Sequence, residues 1–122
     1  MELKNFIICD RVISDSETNQ LSLIDIFYNF NISNFPGVQQ RICIFIEFEN
    51  KNPGLYEVEL EFLDEKDSIL KQKSKFEIGI NGKGLFVKTF YNYLIPRCLD
   101  NQINVNYEGK TLGTRYLTVN KI

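Results

Sequence analysis

The stretch YEVELEFL, residues 56–63, decides how this chain is read. Tyr56, Val58, Leu60 and Phe62 alternate with Glu57, Glu59 and Glu61. A period of two puts successive side chains on opposite sides of a strand, and here one side is apolar and the other charged. The segment therefore predicts a strand with one face on a core and the other in water. Outward from it, RICIFIEFE (41–49) keeps the period with Ile42, Ile44, Ile46 and Phe48, and NFIICDRVIS (5–14) is a β-branched apolar run. LSLIDIFYNFNI (21–32) holds Ile24, Ile26, Tyr28, Phe30 and Ile32 on one parity and reads as a single strand. In SILKQKSKFEIGI (68–80), Leu70, Gln72, Ser74, Phe76, Ile78 and Ile80 share one face. Lys71, Lys73 and Lys75 share the other, the usual mark of an edge or solvent-facing strand. LFVKTFYNYLI (85–95) runs to Pro96, and QINVNYEGKTLGTRYLTV (102–119) reads as a hairpin about Glu108-Gly109-Lys110.

Turn residues punctuate these runs at DSETNQ (15–20), Asn34-Phe35-Pro36-Gly37, Asn52-Pro53-Gly54 and Asp64-Glu65-Lys66-Asp67. Asn81-Gly82-Lys83-Gly84 reads as a hairpin-like turn. No window shows the three-and-four apolar spacing of a helix. The pattern predicts an all-β chain, an antiparallel two-layer β-sandwich of about seven or eight strands. Residues 1–122 form a single domain in this reading, with Ile44, Ile46, Val58, Leu60, Phe62, Val105 and Leu117 in its core.

The composition narrows function by exclusion. Fourteen basic and sixteen acidic side chains give a net charge of −2, without the clustered basic surplus that phosphate neutralisation requires, so no nucleic-acid partner is expected. The chain has no His, which removes the commonest general base and metal ligand, and no Trp or Ala. Cys9, Cys43 and Cys98 are odd in number and lack a CxxC spacing, so free thiols are expected. MELKNFIICD lacks the features of a signal peptide, and no apolar run reaches the ~18 residues of a membrane span. The expectation is a reduced, soluble, cytoplasmic protein with no membrane contact.

Four local patterns invite chemistry. Glu57, Glu59 and Glu61 point side by side from a strand, so they do not converge on a cation or flank a cleft as paired catalytic carboxylates do. Cys9-Asp10-Arg11 offers a thiol without a base, and Asp10 would raise rather than lower its pKa. Gly79-Ile80-Asn81-Gly82-Lys83-Gly84 lacks phosphate-loop spacing and precedes a strand. Lys71, Lys73 and Lys75 read as an edge guard. No catalytic, cofactor-binding or metal-ligating residue is expected, and the protein is read as not an enzyme. What remains is a second apolar set, Phe27, Cys43, Phe45, Phe86 and Phe90, opposite the Ile-rich parity of their strands. Either loops or a short helix of the same chain cover them or a bulge shifts the register, or they form an aromatic patch that another chain or a ligand covers.

The succession IICDRVISDSETNQLSLIDIF, NFPG, GLYEVELEFLDEKDSIL and YEGKTLGTRYLTV resembles a family of short bacterial all-β proteins of unknown function. The resemblance implies a bacterial source and an immunoglobulin-like sandwich, and carries no activity, cofactor or site residue. The Gly of the family's Asp-containing hairpin after Asp64 is here Asp67 or Ser68. The leading expectation is a non-enzymatic protein-interaction or assembly module, with a protein partner or a homodimer contacted through Phe27, Phe45, Phe86 and Phe90. The alternative is a small-molecule or glycan-binding module with Phe and Tyr as stacking platforms, weakened by the absence of Trp.

Overall fold

The computed structural model describes residues 1–65 and 67–122; Lys66, in the turn expected after Asp64, lies outside the described residues. The strands are β1 (Glu2–Ser14), β2 (Leu21–Ile26), β3 (Asn29–Ile32), β4 (Gly37–Glu49), β5 (Gly54–Asp64), β6 (Asp67–Ile78), β7 (Lys83–Ile95), β8 (Asn101–Tyr107) and β9 (Lys110–Lys121). They form two packed sheets, one ordered β2-β1-β4-β7 and the other β3-β9-β8-β5-β6. Every neighbouring pair is antiparallel except β3 and β9, which run parallel.

The described residues thus form nine strands, not seven or eight, because 21–32 is two strands in different sheets. At the break Asp25 takes a left-handed φ of 53°, and Phe27 N donates to Ile8 O at 2.8 Å. Ile26 and Tyr28 are exposed while Phe30 and Ile32 are buried, although all four share a parity. Alternation reports which side a residue faces within one sheet, and it carries no signal for a chain that changes sheets.

The core lies between the sheets. All seven expected core residues are at most 1% exposed. Phe48 stacks on Phe76 with centroids 4.4 Å apart, and Phe62 meets Phe90 edge-on at 5.0 Å. Burying each such side chain contributes about 1.5–3 kcal/mol. The Pro/Gly turns before β4, β5 and β7 are corners that pass the chain from one sheet to the other, so the segment 81–84 is not a hairpin. Its glycines still have distinct duties. Gly82 sits at φ 80°, and a Cβ on Gly84 would lie 2.6 Å from Ile78 Cδ1 and 2.7 Å from Glu77 O. The β8–β9 turn is a true hairpin, with Glu108 and Gly109 both at positive φ.

Candidate functional site

The four phenylalanines do not form an exposed plateau. Phe86 is buried in the core, and Phe90 and Phe27 are half-buried against it, Phe27 tilted on Phe30 at 6.1 Å. On β7 the inward parity is that of Phe86 and Phe90, and Leu85, Val87 and Tyr91 are the side chains left outside. The inside parity then reverses at Asn92, whose φ is 54°, so that Tyr93 and Ile95 are buried and Leu94 is exposed. The sequence offered two apolar parities on this strand and no means of choosing between them.

Phe45 and Cys43 do face away from the core, beside Ile7 and Cys9 of β1 and Val87 and Thr89 of β7. They are nevertheless buried, Phe45 to 7% exposure and Cys43 to 1%. Leu21, near the tip of the β1–β2 hairpin, lines one concavity with Phe45, Glu47 and Leu85. The hairpin leaves β4 after the Cys9–Cys43 pair and turns back over this face, held at its root by the Arg41–Asp10 ion pair, with Nε to Oδ1 at 3.3 Å. The chain's own arm is what covers Phe45 and Cys43, while Leu85 and Val87 on the same side of β7 stay exposed.

The open surface lies elsewhere. β6 and β7 are each the last strand of a sheet, and they stand side by side along one flank of the sandwich. At one end of the seam between them is a cleft of about 320 Å³, walled by Phe62, Leu70, Phe90, Tyr91, Leu94 and Pro96. Tyr91 is 70% exposed, Leu94 55% and Leu70 45%. Farther along, Ser74, Phe76, Leu85, Phe86 and Lys88 share a second notch. Lys88 is half-buried on the inward parity of β7, a charge turned inward on an edge strand. On the outward side of β6, Lys71, Lys73 and Lys75 stand opposite Glu61, Glu59 and Glu57 of β5. Burial pushes the Glu61 carboxyl up, but hydrogen bonds from Asn106, Ser68 and Asn104 and the Lys71 ammonium outweigh it and hold the pKa below its ordinary value.

A polar cluster closes the end of the sandwich beside the cleft. Arg97 Nε donates to Asp64 Oδ2 at 2.8 Å, and Tyr93 OH donates to Asn101 Oδ1 at 2.6 Å. Asp64 is 1% exposed, and its Oδ1 has no hydrogen-bond partner among the described residues. Burial, with the Asp64 charge nearby, raises the pKa of the Tyr93 phenol. These groups fix the β7–β8 connection and hence the cleft's rim, Pro96 included.

The three cysteines are free. Cys9 is wholly buried, its thiol pushed up to about 11 chiefly by that burial, with Cys43 and then Asp10 adding to it. Among the described residues no three His, Cys, Asp or Glu groups gather as metal ligands would, and no helix is long and apolar enough to cross a membrane.

The class is therefore an all-β protein of two packed sheets, with one apolar face partly covered by its own hairpin and a seam open between two edge strands. The chain belongs to a family of unknown function, DUF6941, whose model matches residues 4–120. No curated protein matches it.

Proposed function

We propose that this protein is a non-enzymatic β-sandwich module that binds another protein chain through the β6–β7 seam, in an adaptor or assembly role. The observation that carries this reading is the strip of exposed apolar side chains there, Leu70, Leu85, Val87, Tyr91 and Leu94, along two long edge strands. Contiguous exposed apolar surface beside unpaired strand edges favours contact with another chain. Apart from Asn92 the cleft wall is aromatic and aliphatic, with tyrosine its only ionisable side chain among the described residues, and the sequence supplies no histidine; both support binding over catalysis. Free, buried Cys9 and Cys43 fit a reducing, cytoplasmic setting.

The connectivity supports an immunoglobulin-like topology. With β4 and β7 read as strands B and E, and β5, β8 and β9 as C, F and G, β6 takes the place of the extra strand beside C in variable-type domains. β1 and β3 then divide strand A between the sheets, and β2 is an addition. The central Trp and the inter-sheet disulfide of antibody domains have no counterpart in this chain.

A second reading, a small-molecule or glycan site, is favoured by one observation: the exposed Tyr91 ring stands over a cleft whose size is at the lower bound for ligand pockets. The test is affinity capture from the native source, comparing wild type with Tyr91→Asp/Leu94→Asp. The protein-contact reading expects a defined protein retained by the wild type and released by the double variant. Retention of nothing that the variant releases, with the wild type monomeric by light scattering, contradicts it; saturable binding of an aromatic glycoside at the same residues would install the second reading.

A further inference from the structure

We propose that the open edge of β6 takes up an extended segment of another protein in which acidic and apolar residues alternate, adding it to the sheet as a further strand. This rests on reading the seam as a protein-contact surface and names the chemistry of what it contacts. β6 spans Asp67–Ile78 and among the described residues pairs only with β5, so its other side offers an unpaired main-chain edge for strand addition. Its three outward lysines are poorly satisfied from within. Lys71 pairs with Glu61 at 3.6 Å, whereas Lys73 and Lys75 form no ion pair among the described residues, although Glu59 and Glu57 stand directly across from them.

Two of the three carboxylates are engaged on their far side: Asn106 on β8 donates to both Glu59 and Glu61, at 3.3 and 3.4 Å. The Lys73 and Lys75 ammonium groups are left to the free edge. Lys71, Lys73 and Lys75 thus line the outward side of this edge, in a chain whose net charge is −2.

A strand laid along this edge places its side chains directly opposite those of β6. Outward positions would face Lys71, Lys73 and Lys75 and call for carboxylates. Inward positions would face Leu70 and Phe76 at the cleft and notch and call for apolar groups there, with the polar Gln72 and Ser74 between them. That alternation is the one β5 already presents to the other side of β6, with Glu57, Glu59 and Glu61 between Val58, Leu60 and Phe62. A second copy does not satisfy it: β6 against β6 sets lysine against lysine, and like charges directly opposite are destabilising. The feature that guards the edge against self-pairing selects an acidic strand.

The probe is a fluorescein-labelled decapeptide with the sequence of residues 55–64, and its control carries lysine at the three glutamate positions. Fluorescence anisotropy should show saturable binding of the acidic peptide that weakens with salt, and none of the control. Lys73→Glu/Lys75→Glu should weaken binding by about tenfold or more, and Lys73→Gln/Lys75→Gln by an intermediate factor, in proteins whose circular dichroism is unchanged. No saturation, equal binding of the control peptide, or equal binding by the charge-reversed protein overturns the inference. So does a doubled mass in light scattering without peptide that the charge reversal abolishes, since the occupant would then be a second copy. If the peptide fails while a partner is still lost on Tyr91→Asp/Leu94→Asp, only the acidic-strand inference falls.

Discussion

At the scale of single residues, burial and close approach decide more than residue type. Cys9 looks like a thiol in a charged sequence, but Asp10 is engaged by Arg41 and the sulfur is buried against the Cys43 carbonyl. With the thiol pushed up to about 11, only ~0.1% of it would be thiolate at pH 8. Alkylation of the native protein at pH 8 should therefore leave Cys9 and Cys43 unlabelled and modify the exposed Cys98, whereas unfolding without reductant should expose all three. Rapid native labelling of Cys9, or any disulfide in protein purified with thiols blocked, would contradict this placement. Gly84 makes a sharper case. Its Cβ would strike the Glu77 carbonyl and Ile78, so Gly84→Ala should lower stability by about 1–3 kcal/mol in urea titrations. The sequence marked Gly84 as part of a turn, and nothing in it revealed the backbone packed beside it.

At the scale of elements, alternation was legible wherever a strand stays in one sheet with one face in water. β5 is the plain case. Leu60→Ala or Phe62→Ala should cost about 2–5 kcal/mol, the range for emptied core sites. Glu59→Ala should stay within about 0.5 kcal/mol, because Asn106 keeps Glu61 and Thr111 as partners. Denaturation that ranked Glu59→Ala as the worse change would invert the faces of the sheet. Alternation failed where the chain changes sheet at Phe27 and where a left-handed residue resets a strand at Asn92. Asp25 and Asn92 are residue types that tolerate positive φ, but the many Asn and Asp of this chain make that signal too common to use. The edge character of β6 was readable from its lysines; that of β7, with apolar residues on both parities, was not.

At the scale of the whole molecule, the two-layer architecture and its core could be read from turns and periodicity, because burying one face of each strand leaves few other solutions. Which flank stays open could not be read, since it depends on strand order. The aromatic set singled out by parity was a symptom of two different things. Phe45 lies under the chain's own hairpin, and Phe90 belongs to the wall of the seam. These two places should respond to mutation in opposite ways, and partner retention measured together with chemical denaturation on the same two variants tests the account most directly. Phe45→Ser should lose about 2–4 kcal/mol of stability and still retain the captured protein while folded. Tyr91→Asp/Leu94→Asp should keep its stability to within about 1 kcal/mol and lose the captured protein. A stable Phe45→Ser that releases the partner, beside a double variant that retains it, would move the contact surface to the outer face of β4 and contradict the account.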